Sequence, residues 1–137
     1  MPSLAALDDA QLAVPLVDLA QRARASAGLV GEEVVTQLNE ALRTLLPIEA
    51  NGEALLKLLD EGALTDLRSE DGTSARLLGV EALLRLGYPW AVRIHPDELA
   101  WYRETLAARR RRRILVVLST LAVAAGSALY LLRFFGA

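Results

Sequence analysis

The feature that most constrains this chain is a run of five arginines followed at once by a long apolar segment. The arginines are Arg109, Arg110, Arg111, Arg112 and Arg113, and the 19 residues of the segment 114–132 include no charged side chain. As an α-helix this segment would be about 28 Å long, close to the ~30 Å hydrocarbon layer of a bilayer. Buried helices of soluble proteins seldom run so far without a charge. The pattern therefore predicts a single transmembrane helix.

The composition of the segment favours insertion into lipid. Ten of its 19 residues are Ile, Leu or Val, and at about −0.3 to −0.6 kcal/mol each they favour insertion by roughly 3 to 6 kcal/mol. The five arginines before it circle a helix more than once, so they form a collar and not a single basic face. We expect this arginine collar to meet anionic lipid headgroups at about 1 kcal/mol per residue. An acidic partner surface or nucleic acid is the alternative ligand.

Charge is distributed unevenly along the chain. Residues 1–108 contain nine basic and 17 acidic side chains, a net charge of −8, whereas residues 109–137 contain six arginines and no acid. The acidic part argues against nucleic acid as a partner, because phosphate binding needs a positive surface. The excess of arginine before the span, against Arg133 alone after it, places the N-terminal part in the cytoplasm by the positive-inside rule.

The N-terminal residues lack the pattern of a signal peptide, because Asp8, Asp9 and Asp18 interrupt any apolar block. We therefore expect a tail-anchored, single-pass protein of the inner (cytoplasmic) membrane, with its N-terminal head in the cytoplasm. Arginine outnumbers lysine 14 to 1, which suggests a GC-rich and hence bacterial genome.

The fold class predicted from the periodicity is all-α. We expect a cytoplasmic head domain of four to five short helices at 1–95, a helical stalk with the collar at 96–113, the transmembrane helix at 114–132 and a short tail at 133–137. One continuous helix should run from Pro96 to about Phe134, since no later proline and no glycine before Gly126 interrupts it.

The first two head helices are predicted from apolar stripes. The first carries the stripe Leu12, Leu16, Leu19 and Ala23. Either it starts near Val14 with Pro15 in its first turn, or an earlier helix capped by Asp8 kinks at Pro15, and we favour two separate pieces. Next, Gly28 and Gly31 should bracket a turn. The second helix then follows from Glu32 to Leu46, with the stripe Val34, Val35, Leu38, Ala41, Leu42, Leu45 and Leu46.

The third and fourth head helices are predicted from their termini. Asn51 should cap a helix that runs through Glu61 and ends at a left-handed Gly62, with Leu55, Leu58 and Leu59 inward. After a polar turn at 69–72, Thr73 or Ser74 should cap a helix that closes at Gly87. That helix carries Leu77, Val80, Leu83 and Leu84 inward. The segment 91–94 alternates enough to allow an extended strand.

Catalytic chemistry has little support in the sequence. The single histidine, His95, precedes Pro96, Asp97 and Glu98, and acids after a proline are typical of a helix start. A metal site would need a second imidazole or a thiolate, and the chain has no cysteine. We therefore predict no catalytic, cofactor-binding or metal-binding residues, and expect a protein that is not an enzyme.

Small residues on one side of the predicted span favour self-association. Ser119, Ala122, Gly126 and Leu129 share a helical side, and Ala122 with Gly126 forms a small-xxx-small pair that lets two backbones approach. The alternative is that these residues are ordinary members of an apolar helix.

Together these features predict an adaptor or a small subunit of a membrane assembly. Its partners would be a bilayer with anionic headgroups, other proteins bound through the acidic head, and a second copy bound through the span. The alternative is a small membrane-perturbing effector, of toxin or lysis type, that acts through oligomerised spans. Such a span should have a polar face, and Ser119, Thr120, Ser127 and Tyr130 are few for that purpose.

Overall fold

A computed structural model describes residues 15–26 and 28–136. This part of the chain forms five α-helices and no strand, which confirms the all-α prediction. The helices are α1 (Leu16–Ala25), α2 (Gly28–Arg43), α3 (Glu49–Asp60), α4 (Ala75–Leu86) and α5 (Pro96–Phe135), with a 3-10 turn at Ala91–Arg93 before α5. The residues divide into two compact units, one ending at Leu99 and the other beginning at Ala100.

Leucines from the first four helices, together with Leu64 from the connection between α3 and α4, fill the core of the first unit. Helix α2 packs against α1 and α4, and α3 packs against α1 and α4. The largest fully buried leucines are Leu16, Leu38, Leu42, Leu55, Leu64, Leu77 and Leu83. Burying each leucine side chain contributes about 1.5 to 3 kcal/mol, so this cluster is the main stabilising feature of the head.

Helix α1 begins at Leu16, directly after Pro15 as its N-cap, and Leu12 of the predicted stripe lies outside the described residues. The Pro15 carbonyl accepts a hydrogen bond from the Leu19 amide at 3.0 Å, and proline has no N–H that would need an acceptor at a helix start. Leu16, Leu19 and Ala23 are buried, as their spacing predicts. The helix that Asp8 was expected to cap lies outside the described residues.

The predicted turn at Gly28 and Gly31 is wrong, because α2 already begins at Gly28. Gly31 lies inside the helix, where an added Cβ would be 2.9 Å from the Ser26 carbonyl oxygen. Glycine is therefore required by the close approach of the chain that leaves α1. Glu32 accordingly lies beyond the first turn, where the helix dipole gives it little support.

Helix α2 ends at Arg43 and not at Leu46. Leu45 is buried as predicted, but Leu46 is exposed. The chain has already turned there, since the Leu46 carbonyl accepts from the Ile48 amide at 2.8 Å and from Asn51 Nδ2 at 3.2 Å.

The predicted N-cap at Asn51 is also wrong, because α3 begins two residues earlier, at Glu49. Asn51 is buried in the first turn, and its amide fastens the α2–α3 connection through Leu46. The far end agrees with the sequence: Gly62 has a φ of +67°, a left-handed conformation that glycine adopts without steric cost. Leu55, Leu58 and Leu59 are buried as predicted.

Helix α4 has the predicted termini. The Ser74 side chain accepts a hydrogen bond from the Leu77 amide at 3.4 Å, and Gly87 ends the helix with a φ of +75°. Leu84, predicted to be inward, is exposed. Gly79 and Ala82 are buried on α4 instead. A Cβ at Gly79 would lie 2.9 Å from a methyl group of Leu64, so glycine there lets this leucine pack against the helix.

The segment allowed as a strand is a 3-10 turn, Ala91–Arg93. The Arg93 amide donates to the Trp90 carbonyl at 3.0 Å, which closes the turn. Val92 is exposed and Ile94 is buried. Helix α5 then runs without interruption, and Gly126 does not break it, as predicted.

Candidate functional site

The second half of α5 is an uncovered apolar helix. The helix is long and apolar enough to cross a membrane, and none of its most apolar window is buried. Residues 106–136 are all exposed, including large side chains such as Leu115, Leu118 and Leu132. A core helix of a soluble protein would be mostly buried, so this property is consistent with a membrane anchor.

The hydroxyl groups of this segment are satisfied inside the helix. Ser119 and Thr120 both donate to the Val116 carbonyl at 2.9 Å, and Ser127 donates to the Val123 carbonyl at 2.9 Å. Each hydroxyl donor is therefore already paired within the helix, which would lower the cost of placing this segment in lipid. The same pairing leaves these groups poorly suited to line an aqueous pore.

The arginine collar occupies consecutive positions immediately before the apolar segment. All five side chains are exposed, and within the described chain none of them forms a salt bridge. Successive side chains on an α-helix are separated by about 100°, so the charges point around the whole circumference. The collar therefore presents charge in every direction at one end of the apolar segment.

The predicted self-association side of the span is exposed. Ser119, Ala122 and Leu129 are open to the surroundings, and a Cβ added at Gly126 would meet nothing within 4 Å. Gly126 is therefore not required by any contact within the described chain. These four residues share one side of the helix, and three of them are small. We call this side, Ser119, Ala122, Gly126 and Leu129, the small-residue face.

An aromatic cluster at the far end of α5 was not recognised from the sequence. Tyr130 and Phe134 stack with ring centroids 5.6 Å apart, and Phe135 contacts Phe134 edge-on at 6.4 Å. The signal was present, since aromatic residues separated by four positions at the end of an apolar run are typical of a membrane interface. Arg133 lies beside them. This end of the apolar segment therefore carries aromatic rings and one positive charge, whereas the collar carries five positive charges.

His95 lies at the start of α5, as its sequence context predicts. Its Nδ1 accepts a hydrogen bond from the Asp97 amide at 3.3 Å, and its carbonyl accepts from the Glu98 amide at 3.0 Å. The ring therefore serves one of the unpaired amides at the helix N-terminus. In the described part of the chain, no three His, Cys, Asp or Glu side chains group together as a metal site would require.

The head has a polar cleft beside α2 that sequence reasoning missed. A cavity of about 430 Å³ lies between α2 and the loop 69–73, and an adjoining cavity of about 370 Å³ shares two of its wall residues. We call the two together the head cleft. Its walls are Glu32, Glu33, Thr36, Asn39, Arg43, Ser69, Glu70 and Asp71.

Asn39 joins the two sides of the head cleft. It is only 1% exposed, and its Nδ2 donates to the Thr73 carbonyl at 3.3 Å. Its Oδ1 is buried and has no hydrogen-bond partner among the described residues. An unpaired buried acceptor costs about 1 to 3 kcal/mol. The sequence does contain a signal for this residue. Position 39 lies on the same helical stripe as Val35 and Leu42, which are apolar, yet its own side chain is polar.

Asp71 is held as an anion in the loop of the head cleft. Its Oδ1 accepts hydrogen bonds from the Ser69 hydroxyl and from the Thr73 amide, the latter at 3.0 Å. These bonds, that of Ser69 foremost, lower the pKa of Asp71 from 3.8 to about 2. Hydrogen bonds to a carboxylate stabilise its charged form. The loop therefore keeps its negative charge at all physiological pH values.

An ion pair between Arg93 and Glu53 joins α3 to the turn before α5. Arg93 donates to both carboxylate oxygens of Glu53, and Nη2 lies 3.2 Å from Oε2. The hydrogen bonds to the Glu53 carboxylate raise the pKa of Arg93 above its usual range. The pair is half-exposed, so we assign it to positioning of the turn.

Two surfaces thus stand out in the part of the chain that the structure describes. One is the uncovered apolar helix with its arginine collar, and the other is the head cleft. Comparisons of the chain with protein-family models, with curated proteins and with solved structures find no match. The physical properties of these two surfaces are therefore the basis for a functional assignment.

Proposed function

We propose that this protein is a single-pass membrane protein whose acidic helical head binds other proteins at the cytoplasmic face of the inner membrane. In this role it is an adaptor, or a small subunit of a membrane assembly, and not an enzyme. The observation that carries the proposal is the uncovered apolar half of α5, which has no protein covering in the described chain.

The energetics support insertion of this helix. An exposed apolar helix of this length is unfavourable in water, whereas its Ile, Leu and Val side chains favour lipid by roughly 3 to 6 kcal/mol. The internal hydrogen bonds of Ser119, Thr120 and Ser127 remove the main polar cost. The arginine collar then lies at the headgroups, where anionic lipid attracts it.

Membrane fractionation tests the insertion. The full-length chain should stay in the membrane pellet after alkaline carbonate washing. Replacing Leu118 and Val123 with arginine raises the free energy of membrane insertion by about 5 to 7 kcal/mol, which cancels the apolar contribution. This double variant should therefore leave the pellet. The matched control is Tyr88→Arg with Val92→Arg, which adds the same charge at two exposed head positions. A wild-type chain in the supernatant would overturn the membrane assignment.

Cysteine labelling tests the orientation, because the natural chain has no cysteine. In intact spheroplasts, a membrane-impermeant maleimide should not label Thr65→Cys, an exposed head position. It should label a cysteine added after Ala137. Replacing all five collar arginines with glutamine leaves Arg103 on the head side of the span against Arg133 on the other side, and should give mixed labelling. Labelling of the head in the wild-type background contradicts the cytoplasmic assignment.

Cross-linking in membranes tests the protein-binding role. A photoreactive group on the acidic head should yield discrete cross-linked products, identified by mass spectrometry in intact membranes. The same group on the exposed apolar helix should report neighbours within the bilayer separately. Absence of any protein cross-linked to the head contradicts the adaptor role while leaving the membrane assignment in place.

A membrane-perturbing effector is the alternative, and no feature of residues 15–26 and 28–136 favours it. The hydroxyls that a pore would expose bond their own helix. A membrane-potential dye distinguishes the two roles on expression. An adaptor leaves the potential unchanged, whereas depolarisation that depends on an intact span would establish the effector.

A further inference from the structure

The head cleft has the charge of a site for a cation. Its walls include Glu32, Glu33, Glu70 and Asp71, against Arg43 as the one basic wall residue. Arg43 also lies 3.6 Å from Glu40, whose carboxylate offsets part of its charge. The excess negative charge disfavours phosphate and other anions and favours a positively charged group.

A buried acceptor in the wall specifies a ligand that donates hydrogen bonds. Because Asn39 Nδ2 donates to the Thr73 carbonyl, the amide cannot be turned around without opposing two carbonyl oxygens. Asn39 Oδ1 is thus fixed as an acceptor with no partner among the described residues. Asn39 is itself a wall residue of the head cleft, and because Oδ1 is buried, a bound donor reaches it only when the wall around it shifts.

These two independent observations assign a ligand class. We propose that the head cleft binds the guanidinium or ammonium group of an arginine or lysine side chain from a basic segment of a partner protein. The carboxylates supply the attraction, and Asn39 Oδ1 accepts a hydrogen bond from the bound cation. The inference rests on the proposed protein-binding role of the head and gives it a location and a chemistry.

Peptide binding to the full chain tests this site. The chain is placed in nanodiscs of phosphatidylcholine, which is zwitterionic and does not itself attract a basic peptide. The probe is a fluorescent tetra-arginine peptide, followed by anisotropy. The comparison peptide carries citrulline at the same positions, since citrulline has the shape of arginine without its charge. The arginine peptide should bind and the citrulline peptide should not.

Variants locate the binding. Glu33→Gln with Glu70→Gln removes two exposed wall charges and should weaken binding by about fivefold. The matched control, Glu81→Gln with Glu104→Gln, removes the same net charge outside the cleft walls and should change binding by less than about twofold. Asn39→Ala removes the acceptor and should also weaken binding. Circular dichroism checks whether Asn39→Ala, a change at a buried position, folds. If it does not fold, the variant Glu33→Gln with Glu70→Gln alone tests the site.

Three results overturn the inference: no binding of the arginine peptide, equal binding of the citrulline peptide, or equal weakening by the wall and control variants. Spermidine that competes as tightly as the peptide would also overturn it, because the cleft would then be a polyamine site. Failure of the proposed function and failure of this binding site give different results. If the same cross-linked partners are found with the wall variant, the adaptor role stands and the proposed site is wrong. If the chain binds the peptide but does not insert into the membrane, the site stands and the membrane assignment is wrong.

Discussion

Arg76 and Glu98 form a two-pronged ion pair between the first turn of α4 and the first turn of α5. Arg76 Nε lies 2.9 Å from Glu98 Oε2, and Arg76 Nη2 lies 2.8 Å from Oε1. The two side chains are only 21% and 16% exposed. A paired geometry that is shielded from water is stronger than an ordinary surface ion pair.

Replacing Glu98 with glutamine should therefore destabilise the head. The substitution keeps the shape but removes the charge and one of the two acceptor oxygens, and it leaves the Arg76 guanidinium partly buried. We expect the free energy of unfolding to fall by about 1 to 2 kcal/mol. Urea unfolding followed by tryptophan fluorescence measures this change.

The control is Glu61→Gln. Glu61 pairs with Lys57 at 3.9 Å on an exposed helix end, so its removal should change the unfolding free energy by less than about 0.5 kcal/mol. Equal losses of unfolding free energy in the two variants would show that the Arg76–Glu98 pair stabilises the head no more than an exposed ion pair does.

A second prediction concerns Gly52 in α3, which lies directly against the indole of Trp90. A Cβ added at Gly52 would collide with the indole nitrogen and the neighbouring ring atoms. Gly52→Ala should therefore lower the free energy of unfolding by about 1 to 3 kcal/mol through overpacking, although alanine favours helices. Thermal unfolding and a shifted Trp90 emission report the change.

Gly126→Ala is the matched substitution for this test. A Cβ at Gly126 meets nothing within 4 Å, so alanine there should leave the thermal unfolding of the head unchanged. A Gly52→Ala chain that is as stable as the wild type would mean that Trp90 moves aside without cost.

The positions that the sequence predicts correctly are those where local chemistry decides. Pro15 starts a helix because of its own ring, Ser74 caps a helix through its own hydroxyl, and Gly62 and Gly87 end helices because each adopts a positive φ. The apolar half of α5 is similar, since its length and lack of charge are visible in one uninterrupted stretch. None of these features depends on a distant residue.

The errors arise where tertiary contacts decide. Gly31 has the sequence signature of a turn, but it lies inside α2, and glycine is needed there because the backbone of Ser26 passes close to it. Leu84 fits the apolar period of α4, yet the neighbours of that helix leave it exposed. The head cleft depends on the contact between Asn39 and Thr73, which are 34 positions apart. No local pattern brings these two residues together.

A third prediction follows from the titration of Asp71. Its pKa is lowered from 3.8 to about 2 in the folded chain, so the folded state binds its proton more weakly than the unfolded state. Asp71 therefore stabilises the fold above about pH 4, and this contribution is lost as the pH falls through about 2. Asp71→Asn should lower the melting temperature at neutral pH, and the difference from wild type should shrink between pH 4 and pH 2.

Asp66→Asn serves as the control in the same loop region. Asp66 has a φ of +65°, a conformation that asparagine tolerates as well as aspartate does, so its melting temperature should follow the wild-type curve across this pH range. Circular dichroism gives both curves. A difference between Asp71→Asn and wild type that stays constant down to pH 2 would contradict the assigned role of the carboxylate.

The last prediction concerns self-association through the small-residue face. Leucine at Gly126 would hold two helices apart at the point where the backbones should approach most closely, because glycine is the residue that permits that approach. Gly126→Leu should weaken association in liposomes by at least about fivefold, measured by energy transfer between labelled chains at a fixed lipid ratio. The control is Ala124→Leu, which adds the same kind of bulk on the opposite side of the helix. Equal weakening by both variants would mean that bulk anywhere on the span disturbs association and that the face is wrongly assigned. An unchanged Gly126→Leu chain would mean that the span does not pair through this glycine.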